Sequence, residues 1–84
     1  MGVKKSAGNV FGEHMRELRE KRGLTQVQLA ERCGFPQARI SELERGLRSP
    51  NLVTMLRLAL ALECKPSVLM AVFDKTDIHP LLPK

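Results

Sequence analysis

The segment Thr25–Gly46, TQVQLAERCGFPQARISELERG, decides the fold of this chain because it contains the start and stop signals of two short helices. Thr25 can cap the first helix, and Gln28, three residues later, completes the pattern of a capping box. Gly34 suits the left-handed position that ends such a helix, and Pro36 suits the start of the next one. The segment therefore predicts two helices joined by a sharp corner, a helix-turn-helix.

Apolar side chains in both predicted helices recur at the spacing of one buried face. Leu29, Ala30 and Cys33 form this face in the first helix, and Ile40 and Leu43 form it in the second. The two faces are expected to pack against each other. Side chains on the opposite side of the second helix then point to solvent.

The segment resembles the helix-turn-helix of the phage-repressor/Cro (xenobiotic-response-element) family. The resemblance covers roughly residues 11–70. It implies an all-α fold, a compact five-helix bundle of the lambda-repressor type, and the function of a stand-alone transcriptional regulator. Pro36 departs from the family pattern, where a small hydroxylated residue usually caps the second helix. The matching residues are Leu18-Arg19, Thr25-Gln26, Leu29-Ala30, Gly34, Ile40, Leu43-Glu44-Arg45-Gly46, Pro50, Leu56, Ala59 and Leu62.

The resemblance also implies a structural ion pair between Arg19 and Glu44. Arg19 flanks the apolar stripe of the helix predicted before the motif, and Glu44 follows Leu43 on the inward stripe of the second helix of the motif. A charge on an inward stripe requires a partner, because an unpaired buried charge is costly. We therefore expect the pair to be largely buried. It should join the helix before the motif to the second helix of the motif, which are the first and third helices of the chain.

The rest of the 84-residue chain is expected to complete one small domain. Residues 1–9 read as a flexible basic arm, residues 10–73 as the helix-turn-helix domain and residues 74–84 as a C-terminal tail. The first helix is predicted to start near Asn9, a good cap, and to run to about Arg22. Two alternatives stay open for the tail, which either lies across a dimer contact or is a loose end.

The two C-terminal helices carry more apolar residues than one buried face requires. Asn51 is predicted to cap the fourth helix, which ends near Leu62, and Pro66 is predicted to start the fifth. We expect the fourth helix to bury Leu52, Met55, Leu56, Ala59 and Leu62, with Val53, Leu58, Leu60 and Ala61 as surplus. Surplus apolar surface predicts a homodimer. Its expected contacts are Leu60, Leu69, Met70 and Phe73.

Composition agrees with a nucleic-acid partner. The net charge of +5 and the sequence pI of 9.8 favour a polyanion. Cys33 and Cys64 lie far apart without metal-ligand spacing, so free thiols in a reducing compartment are expected. No apolar run approaches the roughly 20 residues of a membrane span, and the N-terminus does not resemble a secretory signal. We expect a cytoplasmic protein that joins the nucleoid when bound to DNA.

The recognition helix, about residues 36–45, is predicted to enter the major groove of double-stranded DNA. Its first turns then face base edges, where an amide matches adenine, a carboxylate matches cytosine and a methyl group matches thymine. The predicted base contacts are Gln37, Ala38, Ser41 and Glu42. Residues at the edges of the motif are predicted to hold the DNA backbone. These are Gln26, Arg39, Arg45, Arg48 and Asn51. A homodimer would place two such helices about one DNA turn, ~34 Å, apart on a near-palindromic operator.

Two other classes of function remain to be weighed. An enzyme is disfavoured, because His14 and His79 are isolated and the sequence has no glycine-rich phosphate loop. His14 is expected on the surface. No metal, cofactor or small-molecule ligand is indicated. The second alternative is a protein-interaction module, such as an antitoxin or anti-repressor type partner, that has the same fold with weak or no DNA binding. The apolar C-terminal helices and the missing cap at Pro36 are compatible with it.

Overall fold

The computed structural model describes residues 6–73 and Leu81, and these residues form five α-helices and no strand. The prediction of an all-α, five-helix fold with a helix-turn-helix is confirmed, since α2 and α3 form that motif. The predicted roles of the basic arm and of most of the tail concern residues 1–5, 74–80 and 82–84, which lie outside the described residues. The helices are α1 Ala7–Lys21, α2 Gln26–Cys33, α3 Gln37–Glu44, α4 Leu52–Ala61 and α5 Pro66–Met70.

The start of α1 differs from the prediction. Ser6 is the N-cap, and its hydroxyl accepts a hydrogen bond from the Asn9 amide at 3.1 Å. The helix begins at Ala7, before the predicted cap Asn9. Serine and asparagine are comparable caps, so composition alone did not decide between the two positions.

The corner between α2 and α3 is built as the sequence predicts. Thr25 accepts from the Gln28 amide at 3.1 Å, and the Gln28 side chain accepts from the Thr25 amide at 2.9 Å, which completes the capping box. Gly34 has φ 74°, a left-handed conformation that glycine adopts without steric cost. Pro36 precedes α3 with an extended backbone and provides no side-chain cap.

The core lies among the five helices, where α3 packs against α1 and α2, and α4 packs against α2 and α5. The sequence did not predict how closely α1 approaches the end of α3. An added methyl group at Gly12 of α1 would collide with the carbonyl oxygens of Leu43 and Glu44. Glycine at this position lets α1 rest directly on the end of α3. The largest fully buried side chains are Met15, Leu29, Ile40, Leu43, Leu58, Leu62 and Leu69.

The buried face of α4 is rotated from the predicted one. Leu52 and Leu56, expected in the core, are 74% and 43% exposed. Leu58 and Ala61, expected as surplus, are buried. The cause is that α4 is apolar almost all round, so helical spacing alone does not select a face. Packing against α2 and α5 selects it instead.

α5 is held against the bundle by its own buried residue and by a histidine of α1. Leu69 is fully buried. His14 is half-buried, not on the surface as predicted, and its Nε2 lies 2.7 Å from the Val68 carbonyl oxygen, which accepts the hydrogen bond. None of the five helices is long and apolar enough to cross a membrane.

Candidate nucleic-acid interface

A chain of hydrogen bonds begins in the core and ends at the first turn of α3. Arg19 donates through Nε and Nη2 to the two carboxylate oxygens of Glu44, at 2.6 and 3.1 Å. Gln26 Nε2 donates to Glu44 Oε1 at 2.9 Å, and Gln37 Nε2 donates to Gln26 Oε1 at 2.7 Å. The chain therefore connects a buried arginine of α1 to an exposed glutamine of α3.

The ion pair at the inner end of this chain is closed to solvent. The Arg19 and Glu44 side chains are only 11% and 4% exposed. Arg19 also donates through Nη1 to the Leu24 carbonyl oxygen at 2.8 Å, so each of its three guanidinium nitrogens donates one hydrogen bond. The hydrogen bond to Glu44 raises the pKa of Arg19 above its ordinary value, although burial acts in the opposite direction. The expected ion pair is present and joins α1 to α3.

The direction of the chain fixes which atoms Gln37 offers to a ligand. An ionised carboxylate only accepts, so Gln26 must turn its amide nitrogen toward Glu44 and its carbonyl oxygen toward Gln37. Gln37 therefore donates to Gln26 through one N–H. Its Oε1 and its second N–H remain available side by side at the surface of α3.

The predicted base-contacting residues share the outer face of α3. Gln37 and Ala38 are exposed, and Ser41 and Glu42 are half-buried toward the side of the loop that follows. Ile40 is fully buried on the opposite face. The structure therefore brings the four residues together on one surface, with Gln37 and Ala38 nearest the helix start.

Arg39 has a contact that the sequence did not predict. Its guanidinium carbon lies 4.8 Å from the ring centroid of Phe35, and that of Arg57 from α4 lies 5.6 Å from the same ring. Phe35 is buried in the corner between α2 and α3. Cation–π contacts of this kind attract a guanidinium to the ring face. The spacing of Phe35 and Arg39, four residues apart across the start of α3, was the only sequence signal for it.

The loop between α3 and α4 carries the other predicted DNA-backbone residues. Arg45 is exposed at the end of α3, and Arg48 donates through Nε to Glu42 Oε1 at 3.1 Å. Asn51 caps α4, where its Oδ1 accepts from the Thr54 amide at 2.8 Å. A cleft of about 110 Å³ lies between α3 and the start of α4. Its walls are Arg39, Leu43, Arg48, Ser49, Pro50, Asn51 and Thr54.

The structure contradicts one of the four predicted dimer contacts. Leu69 is fully buried within its own bundle, so its assignment to a dimer contact is wrong. Leu60 and Met70 are 80% and 52% exposed, and Phe73 is half-buried. The outer face of α4, opposite the core, also exposes apolar side chains. It consists of Leu52, Val53, Leu56 and Leu60.

The thiols and acidic groups of the described residues do not form a site for metal chemistry. No cluster of His, Cys, Asp and Glu in residues 6–73 could hold a metal ion. Cys33 is buried and Cys64 half-buried, and both are free thiols. Burial raises the pKa of each thiol, which keeps both protonated and weakly nucleophilic near neutral pH.

Comparison with known proteins identifies the class. Residues 15–69 match the family model HTH_3, described as helix-turn-helix. The chain is 40% identical over 67 residues to the uncharacterized HTH-type transcriptional regulator y4dJ of Sinorhizobium fredii, an alignment that covers 80% of this chain and 87% of that protein.

Two solved structures are similar in fold. The restriction-modification controller protein C.AhdI from Aeromonas hydrophila superposes with a TM-score of 0.72 and 40% identity, over 74% of this chain and 94% of that one. The DNA-binding domain of the C2 repressor of Salmonella phage P22 gives a TM-score of 0.70 and 30% identity, over 82% and 86% of the two chains.

The family match and the similar proteins identify a transcriptional regulator with a helix-turn-helix DNA-binding fold, and not an enzyme. The chain belongs to the helix-turn-helix family HTH_3, the family of Cro and the phage repressors.

Proposed function

We propose that this protein binds double-stranded DNA sequence-specifically by placing α3 in the major groove. The observation that carries the proposal is the hydrogen-bond chain from Arg19 to Gln37, since it orients a polar side chain on the exposed face of a short, firmly packed helix. A side chain held in one orientation loses little conformational entropy on binding. The names of the similar proteins, which include regulators and a repressor, agree with this function.

Gln37 is the principal base reader in this proposal. Its free Oε1 and N–H can pair with adenine N6 and N7, the two groups that adenine presents in the major groove. Ala38, beside it, fits against a thymine methyl group. Ser41, one turn further, contacts a base or a phosphate.

The remaining polar residues around α3 are proposed to hold phosphates. Gln26 retains one N–H after donating to Glu44, and the first backbone amides of α2 lie beside it. Four residues of α3 and the loop that follows are proposed to contact phosphates of the opposite DNA strand. These are Arg39, Arg45, Arg48 and Asn51. Each phosphate neutralised should contribute about 0.9 to the slope of log affinity against log salt concentration.

We also propose that two copies bind a near-palindromic operator as a homodimer. A single domain of this size buries a modest area on DNA, and a second copy adds a second half-site about 34 Å away. The exposed apolar side chains of Leu60 and Met70 and the half-buried Phe73 support such an interface. The outer face of α4, which includes Leu60, extends it.

Selection of binding sites from a random duplex pool tests the readout. The wild-type protein should enrich a near-palindrome, and Gln37→Ala should lose one base preference per half-site with an unchanged salt slope. Glu17→Ala, on the exposed side of α1, is the surface control. Failure of the wild-type protein to retain any duplex at low salt would contradict the proposal and favour the protein-interaction module, for which the apolar face of α4 is the supporting feature.

Sizing of the complex tests the homodimer separately. Leu60→Lys should shift the protein toward the monomer and reduce cooperative occupation of the two half-sites. Leu47→Lys, which changes another exposed leucine in the α3–α4 loop, should leave the oligomeric state unchanged. A wild-type protein that is monomeric both free and on its selected site would contradict this part of the proposal.

A further inference from the structure

Glu42 is engaged by the loop that follows its own helix. Its backbone oxygen accepts from the Leu47 amide at 2.9 Å, and its carboxylate accepts from Arg48 Nε at 3.1 Å. Gly46, with φ 74°, makes the turn that brings these groups back to α3. One residue therefore holds both the backbone of the loop and the side chain of Arg48.

The contact uses only one donor of Arg48. A guanidinium has five N–H groups, and the bond from Nε leaves the four on the two terminal nitrogens free. A carboxylate at Nε holds the guanidinium by its inner nitrogen, so the outer edge of the guanidinium is presented in a limited range of directions. That edge is the part that binds a phosphate with two parallel hydrogen bonds.

The free edge belongs to a cleft whose polar groups are mostly donors. Arg39, Arg48 and Ser49 lie on its walls. Asn51 has already committed its Oδ1 to the Thr54 amide, which leaves its NH₂ group to donate. The cleft of about 110 Å³ thus suits one phosphate group of a DNA backbone.

The same contact changes the role expected for Glu42. A carboxylate that reads cytosine must direct its oxygens toward the floor of the groove, whereas this one accepts from a side chain of the loop. An unpaired carboxylate beside a phosphate would also repel it, and Arg48 offsets that charge. Glu42 and Arg48 are 37% and 53% exposed, so the pair contributes little to folding and is available for binding.

We propose that Glu42 is a positioning residue that holds Arg48 as a phosphate clamp, and that it does not read cytosine. The inference rests on the proposed DNA-binding function and adds to it different roles for two residues of α3. Gln37 at the start of the helix reads a base, and Glu42 near its end acts through a neighbouring arginine.

A double-mutant cycle on the selected duplex tests the inference, using Glu42→Ala, Arg48→Ala and the double variant. In the presence of Arg48, Glu42→Ala should weaken binding about three- to tenfold, because the clamp loses its support. In the Arg48→Ala background the same substitution should strengthen binding about twofold or more, because it then removes only a repulsive charge. Base preferences should stay the same in every variant.

The control pair is Glu17→Ala with Arg16→Ala on α1, which makes the same charge changes away from α3. Their effects on DNA affinity should be small and additive. Equal losses from Glu42→Ala in both Arg48 backgrounds, with one C·G preference lost, would overturn the inference and leave the proposed function standing. Wild-type protein that binds no duplex would overturn both. Melting curves of the variants, expected to be close to wild type, separate binding effects from unfolding.

Discussion

Glu44 and Glu42 lie two residues apart on α3, and each forms an ion pair with an arginine, but the two pairs differ in their surroundings. Glu44 points into the bundle, where its side chain is 4% exposed and Arg19 is 11% exposed. Glu42 points to the loop, where its side chain is 37% exposed and Arg48 is 53% exposed. The helix therefore carries one pair sealed from water and one pair in contact with it.

The difference shows that burial, rather than the presence of an ion pair, decides what such a pair does. Removing one partner of a buried pair leaves the other charged group unpaired in a poorly solvated site, which is strongly destabilising. Removing one partner of an exposed pair returns the other to water at little cost. The inner pair can therefore hold the fold, and the outer pair can serve binding without being needed for stability.

The largest expected effect is at the inner pair. Glu44→Ala should lower the free energy of unfolding by about 3 kcal/mol, because the Arg19 guanidinium would lose both carboxylate contacts while remaining buried. Urea denaturation followed by circular dichroism measures the change. A loss below about 1 kcal/mol would show that the pair behaves as an exposed one.

The next effect is at Gln26, which extends the inner pair toward the surface. Gln26→Ala should cost about 1 kcal/mol, the typical value of one hydrogen bond, since Glu44 keeps both bonds from Arg19. It should also release Gln37 and weaken its base preference in the site selection. A loss of stability as large as that of Glu44→Ala would mean that the ion pair depends on Gln26.

A third variant separates an exposed ion pair from backbone strain. Glu63 lies 3.5 Å from Arg32 in an exposed pair, and it has a left-handed backbone with φ 55° after α4. Glu63→Gly should stabilise the protein by about 0.5 kcal/mol, because relief of roughly 1–2 kcal/mol of strain exceeds the added freedom of the unfolded chain. Glu63→Gln, which keeps the strain and removes the charge, is the control. Thermal melts that show a loss for the glycine variant would mean that the exposed pair matters more than the strain.

The smallest expected effect on stability is at the outer pair. Glu42→Ala should change the free energy of unfolding by less than about 0.5 kcal/mol, because both side chains are partly solvated. The same urea measurement compares it directly with Glu44→Ala. Similar losses for the two variants would remove the distinction between the pairs.

The sequence predicted the first three helices well because their signals are local or depend on polar residues. Thr25 and Gln28 form a capping box from residues three apart. Arg19 and Glu44 were paired through the resemblance and the cost of an unpaired charge, although they lie 25 positions apart in the chain. Polar residues with few acceptable environments restrict the structure strongly, so their placement is predictable.

The apolar helices were predicted less well because leucine packs equally well on any face. α4 has apolar residues all round, and its buried face depends on how α2 and α5 pack against it, which periodicity does not encode. The same ambiguity placed Leu69 at a dimer contact when it is part of the core. The contact between Glu42 and Arg48 was also missed, because it depends on the turn at Gly46.

The most direct test of the central claim, that the outer face of α3 contacts DNA, is an NMR titration of the labelled protein with a 20-base-pair duplex at low salt. The account predicts that the largest shifts fall on the amides of Gln26, Gln37, Ala38, Ser41 and Arg48 and that the Gln37 side-chain amide shifts with them. Shifts confined to the outer face of α4, or no shifts at all, would contradict it.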